Sequence, residues 1–183
     1  QMIVTKVGKN ITVTVSTEGT FINDAQVTVA DLEADNGVVH VIDTVLTPPT
    51  TVADIIVESA DHDTLEAALL AASLIYTLNG DGPFTVFAPT DAAFAALPEG
   101  TLDTLLNEPS GELTGLLLYH VVDGKMMSDE LEDGQMIVTK VGKNITVTVS
   151  TEGTFINDAQ VTVADLEADN GVVHVIDAVL TPP

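Results

Sequence analysis

A chain of 183 residues with 28 acidic side chains against 5 lysines and no arginine has a formal net charge of −23. That charge repels phosphate backbones and anionic lipid surfaces, which argues against nucleic-acid and polybasic membrane binding, and it suits high ionic strength, where screening relieves self-repulsion. The absence of cysteine excludes disulfides, thiolate nucleophiles and thiolate metal sites, and no apolar run approaches the ~20 residues of a membrane span. Apolar residues make up 45% but aromatics only 4% and Trp is missing, so the core must be built from Val, Leu, Ile and Ala.

The first 49 residues read as β. Gln1 falls inside a predicted strand, with no charged-then-apolar leader ahead of it, so the natural amino terminus is expected to lie upstream. Val7-Gly8-Lys9-Asn10 is a tight connection. Residues 11–16 then alternate strictly, with Ile11, Val13 and Val15 on one face and threonines on the other. A short strand over 19–24 closes at an Asn-Asp turn. Two further strands are expected, Gln26–Ala30 and Val38–Leu46, broken by the Asn36-Gly37 turn signal. Thr47-Pro48-Pro49-Thr50 is a short, stiff linker.

Residues 50–134 read as mostly helical. Thr51 and Asp54 have capping-box spacing and open a helix to about Ser59. Asp63 and Glu66 repeat the device and start a helix running unbroken to Asn79-Gly80. Residues 84–88 form an apolar strand ended by Pro89. Thr90 caps a short helix carrying Ala93, Phe94 and Leu97, and another short helix follows Thr101. Pro109 to Tyr119 is a further helix, with Leu113, Leu116 and Leu117 at helical spacing, before a strand near His120–Val122 and a turn at Asp123-Gly124.

Residues 135–183 then repeat residues 1–49 with one change, Ala178 in place of Thr44. The offset is 135 − 1 = 134 residues, the length of a whole globular domain rather than of a solenoid unit. Such near-identity marks recent duplication. A tandem array is the preferred reading over a single duplication.

Three blocks carry a family resemblance. TVFAPTDAAF (85–94), the pair Tyr119-His120 and NGVVHVIDAVL (170–180, copied at 36–46) occur in the order found in the fasciclin-like domain family. The sequence over 51–183 resembles one complete domain of that family. The resemblance implies an α+β fold, a wedge of two small β-sheets with a helical layer. On this reading residues 50–183 are a complete domain and residues 1–49 are the C-terminal β-half of a preceding repeat. It also implies a non-enzymatic extracellular or cell-surface module of adhesion, matrix or biofilm, used in tandem or as a filament. Its partners would be neighbouring repeats, identical subunits or matrix components. The alternative is a surface module that binds a small ligand or glycan.

The polar candidates are weighed against plain structural roles. Tyr119 and His120 are a possible adhesion region by resemblance, against a core pair ordered by a buried hydrogen bond. His174 and its copy His40 sit mid-strand with no ligand at i+2 or i+4, a poor metal site. Asp61-His62-Asp63 suggests a metal or acid–base pair, but loop and capping chemistry explains it. The acidic run from Ser128 to Asp133 lacks the alternating ligands and central glycine of a calcium loop and reads as a solvated face. Calcium between neighbouring acidic domains stays open. No nucleophile elbow, zincin or phosphate-loop motif is present. Catalytic, cofactor and metal residues are therefore assigned as none.

A complete domain needs one β-half and one helical half, and this sequence holds two of the former and one of the latter. A lone 49-residue β-half exposes edges and an apolar face. Its complement is expected from an adjacent subunit or further chain, the alternative being β-half against β-half at a two-fold contact.

Overall fold

The computed structural model describes residues 2–5, 10–23, 25–48, 50–107 and 109–182. The chain divides into two compact units, residues 1–49 and 50–183. Gln1, Asp24, Pro49 and the expected connection at Val7-Gly8-Lys9 lie outside the described residues.

In the first unit the alternating segments form β1 (Met2–Val4), β2 (Asn10–Ser16), β3 (Gly19–Ile22), β4 (Ala25–Ala34) and β5 (Gly37–Ile42). Each pairs antiparallel with its chain neighbour, giving the order β1-β2-β3-β4-β5. Two boundaries differ from expectation. β4 continues past Ala30 because Asp31 adopts a left-handed conformation (φ 57°) and the register shifts between Val29 and Leu32, a bulge that carries the polar Asp31–Ala34 stretch along the ladder. β5 stops at Ile42 rather than Leu46. There the Asp43 carboxylate accepts the Gln26 amide at 2.8 Å, so a side chain takes the ladder bond and the pairing ends.

The second unit begins with α1 (Val52–Val57), α2 (Asp63–Ala71) and α3 (Ile75–Leu78). The Thr51–Asp54 capping box is formed, each side chain accepting the other's amide. The expected continuous helix from residue 63 is instead broken at Ser73, which is left-handed (φ 57°). The Leu74 amide reaches back to the Leu69 carbonyl (2.9 Å) and the Ser73 amide to Leu70 (3.0 Å), the crossed pattern of a helix C-terminus. This turn brings Leu74 and Leu78 into the core, a gain in burial that the uninterrupted helix would forgo.

Asp63 is not the cap of α2. His62 occupies that position without a side-chain bond, and the Thr64 amide is satisfied by Asp91, at 2.7 Å. The local spacing was right for a cap, but a carboxylate from 27 residues away supplies it.

Next come β6 (Phe84–Pro89), α4 (Asp91–Ala95), α5 (Thr101–Asn107), a π-helical turn (Pro109–Leu113), α6 (Thr114–Tyr119) and β7 (Val121–Asp123). Thr90 caps α4 through the Ala93 amide. The expected helix over 109–119 is helical throughout, but its first turn is π rather than α. A 3₁₀ turn (Ser128–Glu130) leads into β8 (Met136–Val138), β9 (Asn144–Ser150), β10 (Gly153–Ile156), β11 (Ala159–Ala168) and β12 (Gly171–Ile176). The boundaries of β11 and β12 differ from expectation as those of β4 and β5 do.

These strands form one ladder in the order β7-β6-β12-β11-β10-β9-β8. β6 and β12 run parallel, in register from Gly171↔Phe84 to Ile176↔Pro89, and the other pairs are antiparallel. The bulged β11, with Asp165 left-handed (φ 61°), bends the ladder so that its two ends face each other. Phe87, Val122 and Ile176 from one end pack on Ile137, Ile145, Val147 and Ile156 from the other, and a Val122↔Thr139 bridge joins the ends. The opposite face of β6, with Phe84, Val86 and Ala88, packs with Val173 against Val52, Ile56, Leu65, Leu69 and Leu117 of the helices. The result is the α+β wedge with a helical layer.

Candidate functional site

Tyr119 ends α6 and His120 follows it, and both are buried, at 1% and 3% exposure. The Tyr119 hydroxyl donates to the Asn144 carbonyl (2.9 Å) and accepts from Asn157 Nδ2 (3.2 Å), fastening the helix to the β9 and β10 end of the wedge. His120 Nε2 accepts the Leu180 amide (2.8 Å), so Nδ1 carries the proton and donates to the Leu116 carbonyl (2.8 Å). Burial lowers its pKa to about 4 against a smaller upward pull from the Leu116 carbonyl, which keeps the ring neutral. Both side chains lie inside the domain.

His174 is fully buried. Its Nε2 donates to the Met126 carbonyl (2.9 Å), its Nδ1 accepts the Asp165 amide (3.2 Å), and its ring stacks on Phe87. Asp165 in turn accepts from the Ser128 amide at 2.8 Å and from the Ser128 hydroxyl. Burial, the largest single influence, raises the Asp165 carboxyl, but the Ser128 bonds together with nearby His174 and Lys125 outweigh it and the net shift is downward. Part of the acidic run thus fixes the chain between β7 and β8, and Asp133 likewise accepts the Val149 amide (3.0 Å).

The Asp61-His62-Asp63 segment brings Ser59 Oγ to 2.7 Å from His62 Nδ1, while Nε2 is buried with no hydrogen-bond partner among the described residues. In the Ser–His–Asp arrangement a carboxylate orients the second ring nitrogen, and among the described residues no carboxylate does so at His62. Asp91 takes its own role instead. The Thr64 bonds hold its carboxyl below the usual range. Among the described residues, no group of three His, Asp or Glu side chains is placed to hold a metal, and no helix is long and apolar enough to cross a membrane.

The more informative feature is the same sequence in two environments. All six residues of β12, Gly171–Ile176, are buried, whereas in the identical β5 all are exposed except the half-buried Ile42. Val38 and Val39 are each 54% exposed, against 0% and 1% for Val172 and Val173. Around β5, Val29, Leu32 and Val41 are exposed too, which makes a contiguous apolar sheet surface. Gly171 has φ 156° because β6 lies close: a Cβ there would sit 2.1 Å from the Phe84 carbonyl oxygen, while one on Gly37 would meet nothing within 4 Å.

Asn170 shows the same contrast. Its Oδ1 accepts the Val52 amide (2.8 Å), and its Nδ2 donates to the Leu78 (2.7 Å) and Gly80 (2.8 Å) carbonyls. One side chain thereby joins α1, the end of α3 and the β11–β12 turn, whereas its copy Asn36 is exposed. In the sequence this residue is simply half of an Asn-Gly turn. No local signal marks it as a lock, because its partners lie about 90 to 118 residues away.

Comparison with known proteins agrees with this architecture. The model of the Fasciclin domain matches residues 1–48 and 60–182. Protein sll1483 of Synechocystis sp. is 42% identical over 134 residues, covering 73% of this chain and 74% of that protein. Human periostin is 34% identical over 163 residues, 88% of this chain but 19% of periostin. Among solved structures, a FAS1 domain pair from the insect cell adhesion molecule Fasciclin I matches with a TM-score of 0.61 at 24% identity, covering 94% of this chain and 67% of that one. The bent ladder, its helical layer and two separate family matches on one sequence have a single explanation: the chain belongs to the Fasciclin domain family.

Proposed function

We propose that this chain is part of an extracellular, non-enzymatic cohesive array of fasciclin domains. Residues 50–183 form one domain, and residues 1–49 are the C-terminal β-half of the domain before it. The observation that carries this reading is the strand GVVHVI, which is apolar on both faces, enclosed at 171–176 and open at 37–42. A strand of that composition is built for the middle of a sheet. Its complement is a helical half like residues 50–134, with β6 in the parallel register seen at β12. The family's occurrence as a domain pair in an insect cell adhesion molecule supports cohesion as the role.

Cohesion in such an array comes from number. Weak contacts repeated along a chain joined by Thr-Pro-Pro linkers gain avidity without any single strong site. The buried Tyr119–His120 pair serves this role from inside, by holding α6 to the wedge. Partners are neighbouring repeats, identical subunits and surface or matrix components.

Two measurements test the reading. In a longer chain carrying a further copy of residues 50–134 ahead of residue 1, the amides of Gly37–Ile42 should exchange with solvent as slowly as those of Gly171–Ile176. Unchanged fast exchange would refute the domain assignment. Beads coated with one, two or four repeats at equal mass should aggregate steeply with repeat number, and equal aggregation would refute multivalent cohesion.

A further inference from the structure

The second unit carries a half-open cavity of about 380 Å³ where α5 and α6 meet the β8–β9 turn and the tail after β12. Its walls include Leu105, Leu116, Val141 and Val179, with Thr101 and Thr181 also lining it. Its volume lies within the ~300–1,000 Å³ of small-molecule sites, and apolar walls with a few polar groups are their usual make-up.

Two further observations bear on the same place. Gly115 lies inside α6 and lines the cavity, yet its φ is ordinary and, among the described residues, a Cβ there would meet no atom within 4 Å beyond its chain neighbours and its own helix backbone. Glycine inside a helix costs about 1 kcal/mol relative to alanine. Neither backbone conformation nor close packing requires it here, and what its missing side chain leaves is space. The helical segment entering this wall also starts with the π turn Pro109–Leu113, whose Glu112 and Leu113 directly precede α6. Such turns recur at functional sites.

We infer that this cavity binds an uncharged, largely apolar small molecule. A cavity of about 150 Å³ accommodates benzene, so 380 Å³ suits a body of two or three rings. One acidic residue, Glu112, and one basic residue, Lys143, are among the lining residues, so the lining has no net formal charge, while the chain's net charge of −23 repels anionic amphiphiles. Thr101 and Thr181 offer hydrogen bonds to a single hydroxyl or carbonyl on the ligand. This inference is independent of the cohesive role, since it uses neither residues 1–49 nor contacts between repeats.

The probe is N-phenyl-1-naphthylamine, a neutral three-ring molecule that fluoresces in apolar surroundings, titrated into the full 183-residue chain. A saturable component of one equivalent is expected. Gly115→Leu, which fills the cavity from its helical wall, should abolish that component. The double variant Val39→Asn/Val41→Asn, which makes the open strand of residues 1–49 polar, should leave it intact. Survival of the component in Gly115→Leu, its loss in the double variant, or its absence from the unaltered chain would each overturn the inference. Methyl NMR of the unaltered chain gives a readout that does not depend on the folding of any variant. Probe-induced shifts at Leu105, Leu116 and Val179 support the site, and shifts confined to other methyls refute it.

Discussion

Replacing Asn170 by alanine tests whether the wedge and its helices are held together by one side chain. The change removes three hydrogen bonds of 2.7–2.8 Å and strands the amide of the buried Val52 at the N-terminus of α1. Each bond is worth about 0.5–1.5 kcal/mol, and a stranded buried donor adds to the loss, so the expected destabilisation is roughly 3 kcal/mol. At about 2–4 °C per kcal/mol this lowers the melting temperature by about 6–12 °C. With a urea slope of about 1–3 kcal/mol/M the midpoint falls by about 1–3 M. Circular dichroism at 222 nm is the appropriate signal, because among the described residues the helices all belong to the second unit, whereas the first contributes strands. The chain provides its own control. Asn36→Ala alters the same Asp-Asn-Gly turn in an exposed copy and should cost less than about 0.5 kcal/mol. Equal effects of the two substitutions, or an Asn170→Ala loss below about 1 kcal/mol, would refute the lock. In the longer chain with a second copy of residues 50–134 ahead of residue 1, Asn36→Ala should become as costly as Asn170→Ala.

Three other outcomes follow from particular contacts. His120 is held neutral with a pKa of about 4, below the ~6.5 of an unfolded histidine. Its contribution is therefore complete above pH 6.5 and lost as pH falls toward 4, by up to about 3 kcal/mol. Urea curves at several pH values should show that loss in the unaltered chain relative to His120→Gln, and parallel pH profiles would refute it. Asp91→Ala removes the cap on the Thr64 amide and should cost about 1 kcal/mol in thermal melts, while Asp63→Ala costs less. The reverse order would restore Asp63 as the cap. Ser73→Gly relieves a left-handed residue at the end of α2 and should raise stability by about 0.5–1 kcal/mol in the same melts, and a loss would show that the Ser73 side chain contributes more than its backbone conformation costs.

The sequence alone determined a good deal, and for local reasons. Alternation at Ile11, Val13 and Val15, the Thr51–Asp54 box, the Thr90 cap and the Asn-Gly turns are written within a few residues, because period and capping act over one or two turns of chain. The repeat is likewise a property of the string itself. The bulge at Asp165 recurs at Asp31 in the first unit and so belongs to the hairpin, and the break at Ser73 is closed by the nearby Leu69 and Leu70 carbonyls. Tertiary structure alone decided the capping of α2 by Asp91 and the three-way grip of Asn170. Each of those depends on a partner that folding brings from elsewhere in the chain, and a string of residues does not encode who will be adjacent. The clearest case is GVVHVI, identical at 37–42 and 171–176. One copy is enclosed and the other open, because burial belongs to the surroundings that a segment finds rather than to the segment.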